Sequence, residues 1–226
     1  MEQNKKPSFE SNKSNNEYLI SINQKDTVKL LIIGDQAVGK SSITLRYTDD
    51  VFNSYISGTT GIDLKKKNVV IKNKETNTDI EYKLLIYDTA GHDRYRQFAK
   101  SQIKTVHGII IVYDVTDKNS FNNVSNWIKQ IQDLSSGSTP FVLVGNKTDL
   151  IDQRVIIKTE GDNMANKYNI NYYETSAYNG NGIDDLFNYI ANKAIIVYES
   201  RKVMIGSKDS SFKNKHKKSK SLCVCN

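Results

Sequence analysis

The sequence predicts an α/β fold: a six-stranded, mostly parallel sheet with one antiparallel strand and helices on both faces. Three observations carry this. Short apolar runs alternate along the chain with segments whose apolar residues recur at helical spacing, the pattern of strand–helix–strand units. A polar, turn-rich segment between two neighbouring strand-like runs predicts one hairpin. The first apolar run also ends in Gly34-Asp35-Gln36-Ala37-Val38-Gly39-Lys40-Ser41, a strand-to-helix turn bracketed by glycines.

Taken in order, residues 28–33 form the first strand, and the helix after Gly39 carries Ile43, Leu45 and Tyr47. Residues 48–60 are polar, lack a period and read as a long loop. Strands follow at 68–72 and 80–87, and the second ends at Asp88-Thr89-Ala90-Gly91. In an open α/β sheet, an aspartate at the carboxyl end of a strand is where a metal or phosphate contact sits. Residues 108–114 are nearly all apolar, as in a strand buried on both faces. A helix over 120–134 then sets Phe121, Val124, Trp127, Ile128 and Ile131 on one side. Pro140 opens the strand 141–145, which runs into Asn146-Lys147-Thr148-Asp149. A polar helix over 159–168 and a short strand at 172–174 lead to Thr175-Ser176-Ala177. The last helix, over 183–199, turns Ile183, Leu186, Phe187, Ile190, Ala194 and Val197 inward.

At 226 residues without an internal repeat, one domain over 27–200 is expected, long enough to bury a full core. Residues 1–26 are rich in Asn, Ser, Lys and Glu, too polar to offset the entropy of folding, and read as a flexible extension. The net charge of +7 is carried by the tail, 201–226, where eight basic residues face Asp209 alone. A neutral body with a basic, flexible tail argues against a nucleic-acid partner. No run approaches the roughly 18 apolar residues needed to span a bilayer, and the start lacks the apolar centre of a signal peptide. Both cysteines, Cys223 and Cys225, lie in the last four residues. A disulfide between them would close a tiny strained loop. After Lys213, Lys215, Lys217, Lys218 and Lys220, lipidation is the better expectation, on Cys223 alone or on both. The protein is then a cytosolic pool plus a form attached to the cytoplasmic face of a membrane, held by lipid and basic charge together.

The chemistry lies in the turns. Gly34 permits a sharp turn, Gly39 lets backbone approach a phosphate closely, and successive N–H groups at a helix start receive the anion. Lys40 is the point charge for the terminal phosphates and Ser41 a hydroxyl ligand for Mg²⁺. The base is selected by Asn146-Lys147-Thr148-Asp149: a carboxylate accepts the two donors that guanine presents and adenine lacks. Asn146 can brace base and phosphate loop, and the Lys147 stem can lie along the purine.

On these residues the chain resembles a small monomeric GTPase of the Ras superfamily, most like the Rab branch, over about residues 28–199. The likeness rests on Gly34 to Ser41, Asp88-Thr89-Ala90-Gly91, Asn146 to Asp149 and Glu174-Thr175-Ser176-Ala177. The Rab character comes from Thr59-Thr60-Gly61-Ile62-Asp63-Leu64, Lys83 to Tyr87, Arg94-Tyr95-Arg96, Val112-Tyr113-Asp114-Val115-Thr116 and Ser120-Phe121-Asn122-Asn123-Val124. The resemblance implies a three-layer P-loop GTPase fold with about five helices, GTP or GDP and Mg²⁺ as cofactors, and GTP hydrolysis. It implies that residues Gly34 to Ser42 wrap the phosphates. Thr59 would ligate Mg²⁺ beside Ser41, with Asp88 acting through water, and Gly91 would meet the γ-phosphate. Phe52 would set its edge against guanine, Ala177 would donate to guanine O6, and Ser176 would support Asp149. It also implies an exchange factor, a GTPase-activating protein, a prenyl-binding chaperone such as a GDP-dissociation inhibitor, effectors at the two switch loops, a monomer, and a part in vesicle traffic.

Two departures bear on function. His92 stands where the family has the glutamine that orients the attacking water, and imidazole offers one donor and one acceptor in a different geometry. Hydrolysis slower by roughly tenfold or more is expected, the worth of one misaligned transition-state contact. The opposing reading makes His92 a base. Tyr178 stands where the family has lysine, so an aromatic ring replaces an alkyl stem beside the base. Two other classes remain open from residues alone: a GTP-loaded scaffold with negligible turnover, and a phosphate-loop ATPase or kinase.

Overall fold

The computed structural model describes residues 26–55, 61–72, 77–89, 96–135 and 137–219. Its centre is a six-stranded sheet of order β2-β3-β1-β4-β5-β6. The strands are β1 (Asp26–Gly34), β2 (Ile62–Lys72), β3 (Asp79–Thr89), β4 (Gly108–Asp114), β5 (Phe141–Asn146) and β6 (Asn171–Thr175). Only β2 is antiparallel to its neighbour β3; the remaining pairings are parallel. The helices are α1 (Lys40–Asp49), α2 (Arg96–Ile103), α3 (Lys118–Asn122), α4 (Val124–Leu134), α5 (Lys158–Lys167) and α6 (Ile183–Ser219).

Alternation along β1 builds the two halves of the core. Val28, Leu30 and Ile32 point to one face, where Ile43 and Tyr47 of α1 and Leu186, Phe187 and Ile190 of α6 cover them. Leu31 and Ile33 point to the other, beneath Val124, Trp127, Ile128 and Ile131 of the α4 side and Ala165 of α5. A strand with every residue of 108–114 buried needs a helix on each side, as β4 has. On the first face, the rings of Tyr47 and Phe187 stack at 3.7 Å, joining α1 to α6.

The differences from expectation have local causes. The strand β2 begins at Ile62, six residues before its predicted start, because its pairing partner β3 continues to Thr89 and the ladder runs the whole length. The helix predicted over 120–134 is two consecutive pieces joined at Asn123; the Asp117 side chain caps α3 by accepting from the Asn119 N–H. The helix α2 was not foreseen. The last helix is expected to stop at residue 199 and continues to Ser219, a stretch whose sequence holds no proline to end it. Its stem is held by Arg201, which donates to the Val106 carbonyl at 2.9 Å, and by Lys202, paired with Asp26 at 2.7 Å. Among the described residues, no helix is long and apolar enough to cross a membrane.

Parallel register brings the motif-bearing ends together. Asp88 lies opposite Ile32 of β1, Gly34 opposite Val112, and Asp114, Asn146 and Thr175 line up across β4, β5 and β6. The order reverses at β1, with β3 on one side and β4 on the other. Open α/β sheets bind ligands at such a switch point, outside the carboxyl ends of the strands.

Candidate functional site: a nucleotide cleft

The turn after β1 is shaped by close approach. A Cβ on Gly34 would stand 2.1 Å from the Val112 carbonyl oxygen, and one on Gly39 would stand 2.3 Å from Nδ2 of Asn146. Both glycines also have positive φ, 143° and 96°. The loop between them leaves Gln36 and Ala37 exposed while Val38 is buried, and Ala37 itself sits at φ 61°. Lys147 does so at φ 69°. Non-glycine residues in the left-handed region cost of order 1 kcal/mol or more, and these two flank the same cleft.

At the phosphate end, two buried charges face each other. Lys40 is 5 % exposed, and its ammonium donates to the Asp35 carbonyl at 2.6 Å. Burial lowers its pKa to about 8, against the opposing pull of Asp88 and Asp35. Asp88 is 2 % exposed and its pKa is pushed up to about 6 by burial, partly offset by a hydrogen bond from Ser41 and the charge of Lys40. Among the described residues its Oδ1 has no hydrogen-bond partner. A buried, unpaired carboxylate oxygen beside a serine hydroxyl fits an aquated divalent cation, and the glycine cradle next to a buried ammonium fits the phosphates that would accompany it.

At the base end the polar groups are matched. Asn146, 1 % exposed, donates from Nδ2 to the Val38 carbonyl at 2.9 Å and accepts from the Thr175 hydroxyl at 3.1 Å. One side chain thus ties the phosphate loop to β5 and β6. The Ser176 hydroxyl donates to Asp149 Oδ1, and the Lys147 ammonium pairs with Asp114 at 2.6 Å. Phe52 and Tyr178 meet edge to face, ring centroids 5.4 Å apart. Ala177 is buried and Ser42 half-buried on the first turn of α1.

Of the residues expected at the site, Gly34, Asp35, Gln36, Ala37, Val38, Gly39, Lys40, Ser41, Ser42, Phe52, Asp88, Asn146, Lys147, Asp149, Ser176, Ala177 and Tyr178 lie along this one edge. Thr59, Gly91 and His92 fall outside the described residues, as do Cys223 and Cys225. Three partners were missed from the sequence. Asp114 neutralises Lys147, while Asn123 and Trp127 donate to Asp35 Oδ1 at 2.6 and 2.8 Å. The last pair explains how a carboxylate is tolerated in a phosphate-binding loop: two donors from the α3–α4 junction hold it, leaving its carbonyl to Lys40.

The model of the Ras family matches residues 29–196, most of the chain. The chain belongs to the Ras family of small GTPases. Among relatives, the Ras-related protein Rab-13 of Mesocricetus auratus is 36 % identical over 197 residues, covering 86 % of this chain and 94 % of that one. The GTP-binding protein yptV2 of Volvox carteri is 41 % identical over 169 residues, 74 % of this chain and 75 % of that one. The Ras-related protein RABE1e of Arabidopsis thaliana is 41 % identical over 165 residues, 73 % of each. Within the family, this GTPase is of the Rab type. It is an enzyme that binds GTP and GDP with Mg²⁺, hydrolyses GTP and serves vesicle traffic, and its family works with exchange factors, activating proteins, GDP-dissociation inhibitors and effectors.

Proposed function

We propose that this Rab-type GTPase is a membrane-attached switch with slow intrinsic hydrolysis, its guanine site formed by Asp149, Ser176, Ala177 and Asn146. The observation that carries the reading is the contrast in one cleft between a paired Asp149–Ser176 and Asn146–Val38 scaffold and an unpaired Asp88 oxygen beside Lys40. Asp149 accepts guanine's two donors while Ser176 fixes its orientation, so adenine nucleotides are refused. Lys40, whose pKa burial lowers to about 8, is held in its charged form by the terminal phosphates and stabilises charge that grows on them in the transition state. Ser41, Thr59 and, through water, Asp88 would hold Mg²⁺, which would supply neutralisation of the phosphate charge. Gly91 and Thr59 would sense the γ-phosphate, so both switch loops are held while it is present and released when it leaves.

His92 sets the rate on this reading, because it replaces the side chain that would orient water. Single-turnover hydrolysis of preloaded GTP should be at least about tenfold slower in the wild type than in His92→Gln. Equal rates would show His92 to be a competent substitute, and excess ATP displacing the GTP would favour the ATPase reading. The GTPase works as a monomer whose lipid sits on Cys223, Cys225 or both, backed by the basic tail. Replacing both cysteines by serine should move the protein from the membrane to the soluble fraction.

A further inference from the structure

Arg46 lies on α1 outside every motif, yet its guanidinium joins two segments that both reach the cleft. Its Nε donates to the Ala177 carbonyl at 2.9 Å and its Nη2 to the Tyr178 carbonyl at 2.8 Å. Its Nη1 donates to the Asp50 carbonyl at 3.1 Å and to the Asp50 carboxylate at 3.0 Å. Asp50 ends α1 in the left-handed region, φ 54°, and is two residues from Phe52. The two segments meet again in the edge-to-face contact of Phe52 with Tyr178.

We propose that Arg46 is a positioning residue that sets the place of the Ala177 N–H and ties the base loop to the entry of the first switch loop. The inference rests on the reading of Ala177 as the donor to guanine O6. A peptide unit is planar, so anchoring the Ala177 and Tyr178 carbonyls from outside fixes the planes on either side of Tyr178. The Ala177 N–H belongs to the preceding plane, and Arg46 acts on it through the Ala177 Cα that the two planes share. The rest of the loop is held from within: the Ser176 N–H donates to the Asn181 carbonyl at 3.0 Å, and the Gly180 N–H to the Ser176 carbonyl at 2.8 Å. Those bonds close the turn without fixing how it tilts toward α1. Arg46 supplies that tilt, and it does so with a rigid fork whose parallel donors match two successive carbonyls, a geometry an ammonium cannot copy. The Asp50 bonds make the other half of the device. The guanidinium that orients the base loop also fixes the last turn of α1, from which the chain leaves through Phe52 toward the first switch. Base occupancy and the start of the switch therefore share one side chain.

The test is a competition on the full-length chain, with fluorescent mant-GDP displaced by GDP or by 6-thio-GDP, which keeps guanine's two donors but weakens the acceptor that Ala177 faces. The wild type should prefer GDP by about tenfold, the worth of one well-placed hydrogen bond. Arg46→Ala should release mant-GDP about tenfold faster and narrow the preference to about two- or threefold. Arg46→Lys, which retains charge and stem, should behave as Arg46→Ala does, and it carries the comparison if the alanine form fails to fold. Faster release with the tenfold preference intact would overturn the proposal, because it would make Arg46 a structural strut without influence on the O6 contact. Wild-type behaviour in Arg46→Lys would overturn the fork argument. A wild type that captures no mant-GDP would instead overturn the reading of the cleft on which the inference stands.

Discussion

The two ends of the cleft are built on opposite plans. At the end proposed for the base, Asp149 is paired with Ser176, Lys147 with Asp114, and Asn146 with the Val38 carbonyl and the Thr175 hydroxyl. At the phosphate end, Lys40 and Asp88 are buried with shifted pKa values, and one Asp88 oxygen has no partner among the described residues. Selectivity is thus stored in the fold, whereas charge is left for the ligand to complete. A protein so arranged should be stabilised by nucleotide far more through its phosphates than through its base.

Lys40→Ala is the sharpest way to break that contrast. It should lower GDP affinity by about two to three orders of magnitude, the loss of a charge-assisted contact in a desolvated site. The melting temperature of the nucleotide-free protein should change little, since the desolvation cost of the ammonium is lifted while the buried Asp88 loses the charge beside it. A large fall in the nucleotide-free melting temperature would show that Lys40 is a structural member and that the contrast is false. Asn146→Ala should do the reverse. It strands the Val38 carbonyl and the Thr175 hydroxyl, and urea unfolding of the nucleotide-free protein should show a loss of about 2–4 kcal/mol. Unchanged stability would mean that the base end is not prebuilt.

A smaller effect calibrates both, beside the amino end of the central strand β4. His107 accepts the Lys29 N–H on Nδ1 at 2.9 Å, and burial, with Arg201 and Lys29 nearby, lowers its pKa to about 4. The unfolded chain takes up a proton near pH 6.5 that the folded chain refuses until about 4. Stability should therefore fall as pH drops through that window and be indifferent to His107 above it. Urea unfolding at pH 7.5 and 5 should show His107→Asn losing about 1–2 kcal/mol less than the wild type over that range. An identical pH slope in the two proteins would remove His107 as the cause.

The sheet was legible because each strand is a run of apolar residues bounded by turn chemistry, and β4, wholly buried, is the clearest case. The clustering of the motif residues was legible too, because Gly34 to Ser41 and Asn146 to Asp149 are runs of consecutive residues at strand ends, which the parallel register brings to one edge. What could not be read was pairing across the fold. Trp127 has a core position in its helical pattern, and nothing in that pattern tells that its indole reaches Asp35, 92 residues earlier. Arg46 looks like an ordinary surface residue of an amphipathic helix until β6 brings Ala177 beside it. The overrun of α6 was hidden for a different reason: a lysine- and serine-rich composition signals solvation and carries no helical apolar period to read.

The bond between Trp127 and Asp35 has a use apart from holding a loop. Trp127 is the only tryptophan in the chain, so ultraviolet emission excited at the red edge of protein absorption comes from a single indole whose N–H ends on the phosphate loop. Loading, exchange and hydrolysis should each change the field at this indole through the Asp35 carboxylate. Its emission is then expected to follow the nucleotide cycle in unmodified material, without a dye attached to protein or ligand.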